Sequence, residues 1–297
     1  MSDQTSVIHD LGYRRYDGPR LGRPSIVRAL TWHSFRSAWG IGRGVKAKIV
    51  PILAFIVMLL PAAVNAAVVA RGNERLFDYD TYASQLRAVV LTVFLAAQAP
   101  ELISRDLRSR VLPLYFSRPI RSADYPMAKY LALTFATLIL VEVPLLVLYV
   151  GTIVSAKSGS GVWHETKALI PGLGMGVLWA VLTVAIAAFL ASLAARRAYA
   201  TGVVAIAFFL TWTVAQLLIS VTTHNGNTVV GTGEHIGAML SPFTILDGVR
   251  LWLGGNHDGL IPADIGGFGP VYGLLALALL LIGIGGLVVR YRKVSQA

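Results

Sequence analysis

Long stretches of the chain contain only apolar and small uncharged residues, and short polar or basic segments separate them. The first stretch, residues 49–70, has no Asp, Glu, Lys or Arg. As a helix it would be about 33 Å long, which matches a hydrocarbon core about 30 Å thick. Five further stretches are similar. The pattern predicts an all-α, polytopic membrane protein with six transmembrane helices, at about residues 49–70, 88–103, 130–154, 168–195, 199–221 and 268–289.

The composition supports this interpretation. Of the 297 residues 55% are hydrophobic and 14% are charged, whereas a soluble globular protein has about 25% charged residues. A soluble single domain is therefore excluded. The chain has no cysteine, which excludes disulfides, thiolate catalysis and metal sites built on cysteine. The first 25 residues are polar and basic without an apolar core, so we expect no cleavable signal peptide.

Positive residues are concentrated in alternate connections. Nine of the 26 Lys and Arg precede the first span, six lie in residues 104–129, two between spans four and five, and three after the sixth span. With six spans these 20 residues lie on one side of the membrane, and positive flanks are typical of the cytoplasmic side. We therefore expect both termini in the cytoplasm. The net charge of +11 then favours contact with anionic membrane lipids, and we expect no nucleic-acid partner.

Residues 1–48 are predicted to form a cytoplasmic basic arm that contains an interfacial helix. Trp32, Phe35 and Trp39 recur at positions i, i+3 and i+7, so one helix face carries three aromatic rings as interfacial anchors. Ile26 and Val27 fall on another face, so part of this helix is expected to pack against protein. An anchoring role and a regulatory role are equally compatible with the pattern. Residues 292–297 form a cytoplasmic tail.

The cytoplasmic loop 104–129 contains an apolar cluster that a simple connection would not need. Its arginine and aromatic content is typical of a protein-binding surface, and lipid contact is the alternative. Pro113, Pro119 and Pro126 divide the loop, so we expect a short helix between prolines and a third span that begins no earlier than Pro126. The candidate docking residues are Arg105, Asp106, Arg108, Arg110, Leu112, Leu114, Tyr115, Phe116, Arg118 and Pro119.

The extracytoplasmic segment 222–267 is 46 residues long and has ten glycines. Its middle part is too apolar for a solvated loop and too short to cross the bilayer, and Asp247 and Arg250 interrupt it. A re-entrant or interfacial helical segment before the sixth span is the expected solution.

Two acidic residues lie within predicted spans. Glu142 is near the middle of span three, where a charge costs at least about 2.5 kcal/mol. Protonation, a polar partner such as Gln98 or Gln216, or a water-filled path could compensate it, and Pro144 could kink the helix there. Gln98, Glu142 and Gln216 are therefore the candidate residues of a translocation path. Glu101 lies four residues before Arg105, which predicts an ion pair within one helix.

Other motifs favour structural interpretations. The sequence has no Gly-x-x-x-x-Gly-Lys-Ser/Thr loop for nucleotide phosphates. The glycine-rich stretch 171–176 lacks the dinucleotide fingerprint, and close helix packing through Gly172 and Gly176 is the better interpretation. His164 and Glu165 do not continue into a zinc-protease motif. No catalytic, cofactor or metal site is predicted, and a membrane-embedded enzyme is disfavoured. The remaining metal candidates, for which we favour solvated loop side chains, are His224, His235, His257 and Asp258.

Two stretches carry a resemblance to a known family. Residues 104–119, SRDLRSRVLPLYFSRP, continue to Asp124, Tyr125 and Lys129, and residues 12–23 read GYRRYDGPRLGR. With the six-span layout, they resemble the permease subunits of actinobacterial-type ABC-2 transporters. The resemblance implies a bacterial plasma-membrane protein in which two permease chains, identical or paralogous, form the path.

In that family a separate P-loop ATPase holds ATP and magnesium and drives transport. The resemblance implies that the docking residues of the 104–129 loop couple this chain to the ATPase, and that the cargo is an exported drug, lipid or other hydrophobic or amphipathic compound. Nothing in the sequence resembles the insertions that define a substrate. The alternative function is a channel or proton-coupled carrier that works alone and uses Glu142.

Overall fold

The computed structural model describes residues 18, 21–72, 74–76, 78–82, 84–108, 120–155, 159–194, 196–223, 232–255, 259–261 and 265–296. Over these ranges the regular secondary structure is helical, with a 3-10 turn, Gly266–Phe268, before the last helix. The α-helices are α1 Arg23–Ala38, α2 Lys46–Ala70, α3 Ser84–Leu102, α4 Ser104–Arg108, α5 Asp124–Ser155, α6 Gly159–Leu193, α7 Arg197–Thr223, α8 Thr232–Ala238, α9 Pro242–Trp252 and α10 Gly269–Gln296.

Six of these helices, α2, α3, α5, α6, α7 and α10, are long and apolar enough to cross a membrane. The predicted all-α, polytopic fold is confirmed, and each predicted span falls largely on one of these helices. One boundary was wrong. α5 begins at Asp124 and includes Pro126, because proline is tolerated in the first turn of a helix, where no backbone hydrogen bond is lost. Pro144 does not interrupt α5.

The helices alternate in direction, so the connections fall into two groups. The α1–α2 turn, the connection from α4 to α5, the α6–α7 turn and the end of α10 lie together, and we call this the basic end of the bundle. The α2–α3 and α5–α6 connections, with α8 and α9, lie at the opposite end. An ion pair between Arg75 Nη1 and Glu165 Oε2 at 2.7 Å joins the α2–α3 connection to the N-terminal part of α6 there.

α3 lies at the centre of the bundle. In its most apolar window 78% of the residues are buried, against 22% for α2 and α7 and 17% for α10. Exposed leucines and isoleucines cover the outer helices, among them Leu53, Leu210 and Leu281. In a chain with six candidate spans this exposed apolar surface is the expected contact with lipid tails.

Glycines allow close packing between the spans. A Cβ added to Gly176 would lie 2.1 Å from Oε1 of Glu142, and one added to Gly172 would lie 2.8 Å from the Cβ of Tyr79. A Cβ on Gly283 of α10 would lie 2.8 Å from the carbonyl carbon of Ala185 on α6. Close helix packing is confirmed at Gly176, which faces Glu142 of α5, whereas Gly172 packs against Tyr79 of the α2–α3 connection and not against another helix.

The N-terminal helix α1 runs along the first half of α5. Arg23 makes two contacts with the Asp124 carboxylate, at 2.6 and 2.5 Å. The expected aromatic face is present, but its residues have different surroundings. Trp32 is 60% exposed and stacks on Phe35, so the anchoring role of these two residues stays a prediction. Trp39 instead packs against the bundle, with ring centroids 5.9 Å from Phe55 and 6.2 Å from Phe94.

Segment 222–267 contains α8 and α9, as the helical prediction required. Ser241 caps α9 by accepting a hydrogen bond from the Phe243 backbone N–H at 3.3 Å, and Pro242 occupies the first helical position. Residues 242–251 of α9 are all buried. The helix packs against α6, α7 and α10, so it is part of the bundle.

One expectation in this segment was wrong. His235 is 3% exposed, and its ring lies 4.4 Å from that of Phe268, so it is a packed side chain and not a solvated one. His224, His257 and Asp258 lie outside the described residues. Among those that are described, no three His, Asp or Glu side chains are grouped as a metal site would need.

Candidate coupling and translocation sites

The two ends of the predicted docking loop are held together at the basic end. Asp106, near the start of the loop, forms an ion pair with Nζ of Lys129 at 2.9 Å and accepts a hydrogen bond from the hydroxyl of Tyr125. Lys129 and Tyr125 lie on α5, at the end of the loop, and both are buried. The described residues at the two ends of the loop are therefore tied to each other.

The short helix α4 is anchored to a third helix. Its first residue, Ser104, is fully buried and donates a hydrogen bond to the Ala191 carbonyl of α6 at 2.7 Å. The last helix also reaches this point, because the Tyr291 hydroxyl donates to the Ile103 carbonyl at 3.3 Å. Four helices thus meet at the base of the loop.

The structure describes only part of the docking site. Arg105 and Asp106 lie on α4, and the side chain of Arg105 is 64% exposed. Arg108 ends this helix. The other candidate docking residues lie outside the described residues, and they are Arg110, Leu112, Leu114, Tyr115, Phe116, Arg118 and Pro119.

Glu101 joins three arginines from three parts of the basic end. The predicted pair with Arg105 is confirmed at 3.1 Å. Arg197, at the start of α7, lies 2.7 Å from the other carboxylate oxygen, and Arg43 of the α1–α2 turn also contacts Glu101. The Glu101 side chain is 4% exposed, so this carboxylate is a buried junction between α3, α4, α7 and the α1–α2 turn.

Arg43 and Arg197 were not predicted as partners of Glu101. Both are far from Glu101 along the chain, and only the folded bundle brings them to the end of α3. The topology contained a partial signal, since it places all three residues at the same end of the spans.

The three candidate path residues do not form one hydrogen-bonded group. Both carboxylate oxygens of Glu142 are buried, and the described residues offer neither of them a hydrogen-bond partner. Gln98 of α3 is buried. In α7, Nε2 of Gln216 is buried and likewise lacks a partner among the described residues. The prediction that a hydrogen bond to Gln98 or Gln216 compensates the Glu142 carboxylate is therefore wrong for the described residues.

An arginine provides the opposite charge near Glu142. Arg87 of α3 is 2% exposed, interacts electrostatically with Glu142, and lies with its guanidinium carbon 4.2 Å from the Trp179 ring centroid. A cation over an indole face is favourable, and more so where water is excluded. Arg87 was not predicted as a partner of Glu142, because it lies one residue before the predicted span 88–103, whereas α3 begins at Ser84 and includes it.

Arg87 belongs to a larger charged cluster towards the opposite end, whose members lie on three helices and one loop. Arg250 of α9 bonds to Asp247 at 2.8 Å and to Asp80 at 3.0 Å. Burial lowers the pKa of Arg250, and the two carboxylates raise it by more, so the net shift is upward. The cluster consists of Asp80, Arg87, Glu142, Asp247 and Arg250.

Asp247 also holds the chain beyond α9. Its Oδ2 accepts backbone hydrogen bonds from Leu260 at 2.6 Å and from Ile261 at 2.8 Å. Asp247 and Arg250, which the sequence showed only as interruptions of an apolar stretch, are thus the residues that fix α9 in the bundle.

A cavity of about 510 Å³ adjoins this cluster at the opposite end. Arg75, Asp78 and Asp80 line one part of it, and Met175 and Leu178 of α6 line another. A cavity with one charged and one apolar wall is suited to an amphipathic molecule.

Comparison with known proteins adds no relative, because neither protein-family models nor curated proteins match this chain. The fold itself defines a multi-pass membrane protein with six candidate spans.

Proposed function

We propose that the chain is the membrane-spanning permease subunit of an ABC-2 type transporter. It forms half of a translocation path, and ATP hydrolysis in a separate P-loop ATPase drives it. The observation that carries the proposal is the bonding at the base of the 104–129 loop, where Asp106 contacts Lys129 and Tyr125. A docking loop needs such a base if it is to move the spans instead of bending on its own.

The ion pairs at the basic end supply a route for that movement. A displacement of α4 acts on α5 through Asp106 and on α6 through Ser104. Glu101, one turn earlier, acts on α2 through Arg43 and on α7 through Arg197. A partner that binds one conformation of the loop more tightly than another would shift all of these spans together.

The missing phosphate-binding motif determines which subunit binds ATP in this proposal. A chain without a phosphate-binding loop needs a partner to hold ATP and Mg²⁺, so no cofactor is assigned to this chain and no catalytic role is proposed for it. A second permease, identical or paralogous, completes the path. The positive residues at the basic end support a cytoplasmic position for both termini in a bacterial plasma membrane.

The cavity at the opposite end supports an amphipathic cargo, such as a drug or a lipid, that leaves the cell. Its charged wall includes Asp80 and Arg250 of the charged cluster, and its apolar wall belongs to α6. Glu142 and Arg87 lie deeper in the same cluster and are the candidate residues for the path.

Docking is tested by replacing Leu112, Tyr115 and Phe116 together with Asp and purifying the chain with its associated ATPase from native membranes. The proposal expects loss of the co-purified ATPase activity and of transport. The control carries Asp at Leu76 and Trp163, two exposed apolar residues at the opposite end, and should retain both. An unchanged ATPase complex with intact transport in the triple variant would rule out this coupling surface.

A second function is favoured by one observation, the buried Glu142 carboxylate without a hydrogen-bond partner among the described residues. A carrier that works alone could bind and release a proton there. The purified chain is reconstituted in liposomes without any ATPase. Flux in these liposomes that disappears in Glu142→Gln would favour the carrier over the ATP-driven permease.

A further inference from the structure

A long groove lies between α1 and α5 on the surface of the bundle. Its volume is about 840 Å³, and apart from its mouth it is almost entirely apolar. α1 contributes Val27, Thr31 and Phe35, and α5 contributes Phe135, Leu138 and Ile139. Phe135 is 52% exposed, so the part of the chain that the structure describes does not cover the groove.

The mouth of the groove is positively charged. Arg23, Arg28 and Asp124 line it, and the Asp124 carboxylate is neutralised by its two contacts with Arg23. Arg28 is exposed and has no carboxylate within ion-pair distance among the described residues. Counting the described residues alone, the mouth therefore presents one positive charge without a carboxylate partner beside an apolar channel.

The dimensions of the groove match those of a lipid tail. The lining residues of α1 run from Arg23 to Phe35, which is about 18 Å along a helix axis. One leaflet of a hydrocarbon core about 30 Å thick is about 15 Å deep. The groove starts at the basic end, and its apolar part follows α5, a candidate span.

We propose that this groove binds an anionic glycerophospholipid, with the phosphate on Arg28 and one acyl chain between α1 and α5. The positive charge of the mouth favours an anionic headgroup, and the apolar lining has room for one acyl chain of the lipid. This site does not depend on the proposed transport function, because any membrane protein with this groove would bind the same lipid. The lipid would hold α1 against α5.

Trp32 is a natural reporter, since it lines the groove and stacks on Phe35. The full-length chain is reconstituted in phosphatidylcholine vesicles that contain a minor fraction of phosphatidylglycerol brominated at mid-chain. A second set contains the same fraction of brominated phosphatidylcholine. Bromine quenches tryptophan fluorescence at contact, and the difference between the natural chain and Trp32→Phe isolates the Trp32 signal from that of the other tryptophans.

We expect the brominated anionic lipid to quench Trp32 with about fivefold higher affinity than the brominated zwitterionic lipid, the effect of one arginine near a phosphate. Arg28→Gln should abolish this preference, and Arg28→Lys should largely retain it. Lys46→Gln is the matched control, because it removes an exposed positive residue at the same end that does not line the groove. This control should keep the preference.

Three results would overturn the proposal. They are equal quenching of Trp32 by the two lipids, an absence of quenching by both, and a preference that Arg28→Gln leaves unchanged. Because the chain has no cysteine, Phe135→Cys reports directly on the competing occupant, a second copy of the chain. Efficient disulfide cross-linking of two such chains in the membrane would show a protein interface in place of a lipid site.

Discussion

The Lys129 ammonium lies 2.9 Å from the Asp106 carboxylate. This ion pair joins the start of the 104–129 loop, where Asp106 lies, to its end, where Lys129 lies. Both side chains are mostly buried, at 8% and 18% exposure. We therefore expect this contact to contribute to stability as well as to the position of the loop.

A double-mutant cycle tests the Asp106–Lys129 pair. Asp106→Asn leaves a buried ammonium without its carboxylate, so we expect a loss of about 1–3 kcal/mol in unfolding free energy. Lys129→Gln should cost a similar amount, and the double variant should cost clearly less than the sum. Thermal unfolding in detergent measures all four proteins. Additive losses would show that the two charges do not interact.

We expect Glu101 to contribute more to the free energy of unfolding than any one of the three arginines that contact it. Glu101→Gln removes a buried carboxylate that serves Arg43, Arg105 and Arg197 at once, and we expect a loss of about 1–3 kcal/mol. Arg105→Gln is the matched control, since this side chain is 64% exposed and such surface pairs contribute about 0–1 kcal/mol. Comparable melting temperatures for the two variants would contradict the idea of a junction.

Two glycines of α10 form a matched pair for helix packing. A Cβ on Gly283 would meet backbone atoms of Ala185 at 2.8–2.9 Å, whereas a Cβ on Gly285 would have no neighbour within 4 Å. Gly283→Ala must push α10 away from α6, so we expect a loss of about 1–3 kcal/mol. Gly285→Ala should be neutral or stabilising by up to about 1 kcal/mol. Equal melting temperatures would argue against close α6–α10 contact.

We expect the protein to lose stability at high pH because the buried phenol of Tyr82 loses its proton there. Burial raises the pKa of this phenol from its ordinary value of 10.0 to about 12, and its hydroxyl donates to the Met58 carbonyl at 2.6 Å. The folded state therefore retains the proton more strongly than the unfolded chain. The stabilising contribution is complete below pH 10 and disappears as the pH rises through 12, by at most about 3 kcal/mol.

Tyr82→Phe checks that assignment, because it removes the titrating group. The variant should be less stable than the natural chain near neutral pH, where the hydrogen bond contributes about 1 kcal/mol. The difference should shrink above pH 10. A constant difference across the alkaline range would mean that Tyr82 does not titrate with folding.

The orientation of the bundle can be read with single cysteines in this cysteine-free chain. Ala198 lies at the basic end and Ser160 at the opposite end, and both are exposed. If the positive residues face the cytoplasm, a membrane-impermeant maleimide should label Ser160→Cys in intact cells. It should label Ala198→Cys only after permeabilisation. The reverse pattern would place the docking loop outside the cell.

Some of these features could be predicted from sequence because they depend on local chemistry. An uncharged run of about 20 residues has few alternatives to a spanning helix, since lipid cannot satisfy an open backbone. The pair of Glu101 with Arg105 follows from helix geometry alone. The start of α5 was missed by a few residues because a rule about proline in helix interiors was applied to a first turn, where it does not hold.

Other features required the folded chain. His235 sits in a segment rich in glycine and polar residues, and nothing local shows that Phe268 stacks on it. The surroundings of Glu142 also depend on packing, because only the approach of Gly176 and the proximity of Arg87 determine which groups face the carboxylate. Gln98 and Gln216 were reasonable partners by depth in the membrane, but helix rotation decides contact.

The amino-acid sequence by itself determined that this protein is a bundle of six apolar helices with most of its positive residues at one end, because hydrophobic length and charge distribution are properties of the chain and the bilayer. The tertiary structure alone decided which charges meet, joining Glu101 to Arg43 and Arg197 and Arg250 to Asp80. Those contacts depend on how the helices are arranged and rotated relative to one another, and that arrangement is a property of the whole packed core.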